Sequence, residues 1–207
     1  MLFEEQKIIF VHIPKTGGSS LEYAICSHLL NTDSDVEYKS YKAFSIRGGK
    51  MGIQKSTPKG HTHSYISEYS SFVDLKDYVK FCVLRNPFDQ VRSLYNQMKK
   101  IMNIPSLEHF IMADDHRSMK VLDHYIDQYK YTHINDQLCI DKVFVFDRYN
   151  EAQLFVENFF NIKIDKGKKL WPTKYTDEFF TIEMVDKFSK TYQKTIELYN
   201  RFLKTND

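Results

Sequence analysis

The chain reads as an α/β protein with a central, mainly parallel sheet flanked by helices. Three features predict this. Short apolar runs of strand length recur three times, each is cut off by turn-forming residues, and helical apolar spacing follows each break. The first run is 7–13 (KIIFVHI). Pro14-Lys15-Thr16-Gly17-Gly18 ends it, and Ser19 and Ser20 open a helix to about Leu30, with Leu21, Ile25 and Leu29 four apart. This order sets backbone N–H groups and a helix N-terminus at a strand's end. Residues 31–60 lose periodicity; Gly48, Gly49, Gly52 and Pro58 punctuate a polar, basic stretch expected to be a long surface loop. The second strand, 77–84 (DYVKFCVL), stops at Arg85-Asn86-Pro87. Pro87 at a first helical position and Asp89 in the first turn start a helix whose face is Val91, Leu94, Tyr95 and Met98, ending near Asn103. Residues 105–112 and 120–131 also read as helical. The third strand is 143–146 (VFVF), followed by a helix over 150–160 capped by Asn150. After a lysine-rich loop at 161–175, one last helix is expected over 182–203, because Ile182, Val185, Phe188, Tyr192, Ile196, Tyr199 and Phe202 form a single stripe.

Length and composition narrow the function classes. With 207 residues, 1–207 is expected to be one domain. Hydrophobic residues at 42% and aromatics at 15% exclude a disordered chain, and 7 Gly with 5 Pro exclude collagen-like sequence. The balance of 29 basic against 27 acidic residues gives no reason to expect a nucleic-acid partner, so any anion site must be built locally. Cys26, Cys82 and Cys139 cannot form a disulfide framework; their apolar surroundings suggest buried thiols in a reducing compartment. No stretch approaches the ~18 apolar residues of a membrane span, and the first residues do not read as a signal peptide. The expectation is a soluble, cytoplasmic protein.

Two segments carry chemistry. In His12-Ile13-Pro14-Lys15-Thr16-Gly17-Gly18-Ser19-Ser20, the glycines let backbone approach a ligand, Lys15 supplies a cation, and Thr16, Ser19 and Ser20 supply hydroxyls beside a positive helix end. All of this suits a phosphate or sulfate. It is not a Walker A loop, where the lysine follows the glycines. In the second segment Arg85 sits at a strand's end, on the edge where open α/β sheets bind ligands, with Ser93 two helical turns on. A forked guanidinium and a hydroxyl suit a second phosphate.

Together the segments resemble the 5′-phosphosulfate loop and the 3′-phosphate motif of sulfotransferases that use 3′-phosphoadenosine 5′-phosphosulfate (PAPS). HIPKTGGSS is similar to the carbohydrate, Golgi-type branch (the heparan and chondroitin sulfotransferase-like, family 2 group). Gly60-His61 resembles that family's Gly-His element, 144–154 (FVFDRYNEAQL) its strand-and-acid segment, and 183–202 its closing helix. The resemblance implies a three-layer, P-loop-like fold and sulfuryl transfer from PAPS, with adenosine 3′,5′-bisphosphate (PAP) as product and no metal. It implies that Pro14, Lys15, Thr16, Gly17, Gly18, Ser19 and Ser20 hold the 5′ end, with Lys15 on the bridging or sulfuryl oxygens, and that Arg85 and Ser93 hold the 3′-phosphate. Two points depart from the family: Asn86 replaces an acid, and the segment that would cover the nucleotide, 166–169, has no clear motif.

Transfer to a hydroxyl needs a base, and histidine suits that role near neutral pH. His61 matches the family's Gly-His position and is the expected base, with His63 as second candidate. Read as a zinc site, His61-x-His63 supplies too few ligands. Two rivals stay open. A P-loop kinase or nucleotide hydrolase would use Asp147 for Mg²⁺, and a non-catalytic module would bind an anionic ligand or nucleotide. The acceptor, a saccharide or other hydroxylated small molecule, would be shaped by 31–60 and 102–136. There Tyr38, Tyr41, Phe44, Tyr125, Tyr129 and Tyr131 would stack on sugars or pack a core.

Overall fold

The computed structural model describes residues 1–29, 63–113, 116–165 and 178–205. Its spine is a four-stranded sheet, β1 (Leu2–Phe3), β2 (Ile8–Val11), β3 (Val79–Leu84) and β6 (Lys142–Val145), in the order β1-β2-β3-β6. β2, β3 and β6 run parallel, with Val11 opposite Cys82 and Leu84 opposite Val145, while β1 is an antiparallel edge. In this register the carboxyl ends of the three parallel strands lie side by side, which is where a ligand crevice forms in such sheets.

Both faces of the sheet are covered, so its strands are apolar at successive positions rather than at alternate ones. Ile8, Phe10, Phe81 and Val83 face α1 (Gly18–Leu29) and α7 (Tyr149–Phe160), meeting Leu21, Ile25, Val156 and Phe160. Ile9, Val11, Cys82, Leu84 and Val145 face the opposite way. There they meet Ile66 and Tyr69 of α2 (Ile66–Tyr69), Tyr131 of α6 (Gln128–Thr132), and Leu198 and Tyr199 of α9 (Gln193–Lys204). The predicted α/β layering is present. A third cluster is purely helical: α3 (Pro87–Ile101), α4 (Leu107–Met112), α5 (His116–Ile126) and α8 (Ile182–Thr191) bury Leu94, Tyr95, Phe110, Ile126, Met184 and Phe188 together.

Several local expectations change. The last helix is two, α8 and α9, broken at Tyr192 (φ −114°, ψ 32°). The stretch 120–131 is divided at Asp127, whose carboxylate accepts the Lys130 N–H and caps α6. α7 begins at Tyr149, so Asn150 lies inside it rather than capping it; Asn161 ends it in the left-handed conformation (φ 53°). A hairpin, β4 (His133–Ile134) with β5 (Gln137–Leu138), turns on Asn135 and Asp136, both at positive φ as a two-residue primed turn requires. Cys26 and Cys82 are buried thiols, whereas Cys139 is only partly covered.

Candidate active site

The first motif leaves the tip of β2 and turns into α1. Lys15 (φ 64°) and Gly17 (φ 84°) both take the left-handed conformation, so the chain doubles back twice within three residues. Burial alternates along the turn: Pro14, Thr16 and Gly18 are buried, while Lys15, Gly17, Ser19 and Ser20 are half-exposed. The Thr16 hydroxyl donates to the Ile13 carbonyl at 2.8 Å, which ties the loop together from within. Both glycines are required by close approach. A Cβ on Gly17 would stand 2.9 Å from the rings of Phe146 and Tyr149, and one on Gly18 would stand 2.1 Å from the His12 imidazole. The Tyr149 hydroxyl donates to the Gly17 carbonyl at 2.7 Å and pins the loop from the start of α7.

Beneath the loop, His12 and Glu22 are buried together (3% and 1% exposed), with Nδ1 of His12 3.0 Å from Oε2 of Glu22. Glu22 shares a helix face with Gly18 and Ile25, at spacings of four and three. An acid on an otherwise apolar face, facing a histidine on the preceding strand, is the sequence signal for this pair, and it was missed.

The second motif brings Arg85 to the same place. Its Nη1 donates to the Lys15 carbonyl at 2.8 Å, and its guanidinium lies 4.5 Å from the centre of the Phe146 ring. Burial lowers the Lys15 pKa from its ordinary 10.5, and the neighbouring Arg85 charge lowers it further. Among the described residues no carboxylate pairs with Lys15. Two adjacent, partly desolvated cations beside a glycine turn and a helix N-terminus are the electrostatic condition for an anion of more than one charge. Asn86 caps α3 by accepting the Phe88 N–H at 3.0 Å, a task that asparagine and aspartate perform equally well. Ser93 is buried on α3, two turns beyond the strand tip.

His63 stands against the first motif. Its Nδ1 is 2.9 Å from the His12 carbonyl, its ring meets the His12 ring edge-on at 4.6 Å, and Tyr125 lies 6.0 Å away. A carbonyl oxygen can only accept, so Nδ1 carries the proton and Nε2 is the acceptor nitrogen of the neutral ring. Of the three described tyrosines considered for sugar stacking, Tyr131 is core and Tyr129 stacks on His133 at 3.8 Å, which leaves Tyr125 beside the site. Gly60, His61, Tyr38, Tyr41, Phe44 and 166–169 lie outside the described residues. Asp147, the candidate Mg²⁺ ligand of a kinase, accepts the Tyr199 hydroxyl at 2.7 Å and so anchors α9 to the sheet. Beside it, Arg148 donates to the carbonyls of Phe202 and Leu203, satisfying the C-terminus of the same helix.

The β2–α1 turn lies at the carboxyl ends of the parallel strands, and an arginine from the neighbouring strand's tip reaches it. The chain belongs to the sulfotransferase family, whose sequence profile matches residues 1–200. Its family thus assigns it to sulfuryl-transfer chemistry. A crystal structure of a sulfotransferase from Alicyclobacillus acidocaldarius is similar at 12% identity and a TM-score of 0.46, over 94% of each chain. No curated protein matches the sequence. Among the described residues, no helix is long and apolar enough to cross a membrane.

Proposed function

We propose that the protein transfers the sulfuryl group of PAPS to a hydroxyl or amine of an acceptor, with a carbohydrate as the acceptor class. The observation that carries this reading is the 2.8 Å contact between Arg85 and the Lys15 carbonyl, which unites two motifs 70 residues apart in one cationic crevice. The residues fit a nucleotide phosphorylated at both ends. The turn from Pro14 to Ser20 takes the 5′-phosphosulfate, with Gly17 and Gly18 letting the turn pack against Phe146, Tyr149 and His12 and with Ser19 and Ser20 half-exposed at the helix N-terminus. Arg85 and Ser93 take the 3′-phosphate.

Lys15 neutralises charge on the phosphate oxygen that leaves as its S–O bond breaks. His63 takes the acceptor proton on Nε2 as the new S–O bond forms, and the His12 carbonyl keeps the ring's other proton on Nδ1. His61 is the alternative base. PAP leaves as product. Positioning and charge stabilisation carry the rate, as in phosphoryl transfer, and these residues supply the cations without calling on a metal. The buried, unbridged thiols Cys26 and Cys82 fit a reducing, cytoplasmic setting.

The decisive measurement is thermal unfolding with EDTA present. PAP is expected to raise the melting temperature, and ATP with Mg²⁺ in a parallel sample is expected to have no comparable effect. Lys15→Ala should abolish the PAP shift and lower sulfated product formation at least ~100-fold. Stabilisation by ATP–Mg²⁺ and not by PAP would establish the kinase reading instead.

A further inference from the structure

Two glutamines lie between the motifs, and both are completely buried. Gln90 sits in the first turn of α3 and Gln128 opens α6. Gln90 Nε2 donates to the carbonyls of Pro14 (2.9 Å) and Tyr125 (2.8 Å). Gln128 Nε2 donates to the Arg85 carbonyl (2.7 Å) and to Oε1 of Gln90 (2.8 Å), while Gln128 Oε1 accepts the Arg85 N–H (3.0 Å). All four amide hydrogens are used, and both oxygens accept. The orientations are fixed as well, because turning either amide over would set oxygen against carbonyl oxygen.

A core position needs only an apolar side chain, and burying two amides is costly unless they do something that packing cannot. What these amides join is specific. One end holds the backbone that enters the Lys15 turn. The other pairs with both backbone groups of Arg85, extending the β3 ladder by one rung. A branch holds Tyr125, whose ring faces His63. The direct contact from Arg85 to the Lys15 carbonyl uses the guanidinium, the group a phosphate would recruit. The glutamine link runs from backbone to backbone and is untouched when that guanidinium turns to a ligand.

We infer that Gln90 and Gln128 are positioning residues that set the spacing between the 5′ and 3′ phosphate subsites, so that a nucleotide phosphorylated at both ends is gripped at both ends at once. This rests on the PAPS reading. It predicts a loss confined to ligands that span the two subsites, since holding both ends pre-paid in geometry is where the gain of a two-point ligand lies.

The test is calorimetric affinity for three probes: PAP, adenosine 5′-monophosphate and adenosine 3′-monophosphate. The wild type is expected to prefer PAP strongly over either monophosphate. In Gln90→Met and Gln128→Met, that preference should fall at least ~10-fold while the monophosphates change little. An equal loss for all three probes, or none, overturns the inference, since a merely structural role lowers every affinity alike.

Gln128→Glu provides a second readout if the methionine variants do not fold. Its ionised carboxylate opposes the Arg85 carbonyl and Gln90 Oε1, whereas the protonated acid can donate to one of them. PAP preference should therefore recover from pH 8 toward pH 5.5 relative to wild type; a parallel profile overturns the inference. A wild type that binds PAP no better than the 5′-monophosphate overturns the PAPS reading itself, a result distinct from variants that keep the preference.

Discussion

Lys15 concentrates the tension between stability and function. A non-glycine residue at φ 64° costs roughly 1–2 kcal/mol, and its ammonium is held partly out of water beside another cation. Replacement should therefore separate stability from binding. Lys15→Gly is expected to be about 1 kcal/mol more stable than Lys15→Ala in urea unfolding, because only glycine accepts that φ freely. Both should lose PAP binding to the same extent. Equal stability of the two would show that the left-handed turn is not a property of the protein in solution.

The direction of the Lys15 pKa also sets a pH dependence. In the proposed role its charged form holds the anion, so affinity is expected below the folded-state pKa and should be lost as pH rises through it. That pKa is lowered from 10.5, so PAP affinity should begin to fall at a lower pH than an ordinary lysine would allow. Lys15→Arg, which keeps its charge, should move the fall to higher pH in titrations of PAP affinity. The same shift makes protein stability without nucleotide rise over this interval, because the unfolded chain then holds the proton that the folded one releases.

At the scale of elements, β2, β3 and β6 each lead through a short turn into a helix, and the proposed chemistry is placed at these junctions. Asn86 marks one of them. Asn86→Ala should cost about 1 kcal/mol of unfolding free energy through the lost cap, whereas Asn86→Asp should cost nothing, since aspartate caps equally well and adds a favourable charge at the helix's positive end. Measured by urea unfolding, a large loss in the aspartate variant would mean that the site, not the cap, selects asparagine here.

The closing helix shows where a local pattern misleads. Apolar spacing runs unbroken through Tyr192, and no glycine or proline announces a break. The break follows from two destinations: Met184, Phe188 and Tyr192 pack into the helical cluster, whereas Leu198 and Tyr199 pack on the sheet. One straight axis cannot serve both. The β4–β5 hairpin was missed for the opposite reason: its strands are two residues each, too short to show a period, although Asn135-Asp136 is a recognisable turn pair.

Across the whole molecule, three apolar clusters hold the frame, while the site takes Lys15, Gly17 and Arg85 from outside all three. It draws on the β2–α1 turn, the end of β3, the end of β6 and the start of α6. Contacts such as Tyr149 to Gly17, 132 residues apart, close it. The three parallel strands and the helices that follow them, the Lys15–Gly18 turn and the Arg85 strand end were readable from windows of about ten residues, because apolar period and turn chemistry are local properties. The glutamine link, the orientation of His63 and the pairing of His12 with Glu22 were not, because each depends on strand register and on which helix covers which face. Residue order alone determined which pieces exist and that two of them suit anions. Folding in three dimensions determined that they share one crevice, because only the parallel register of β2, β3 and β6 levels their ends and lets one strand's arginine reach the next strand's loop.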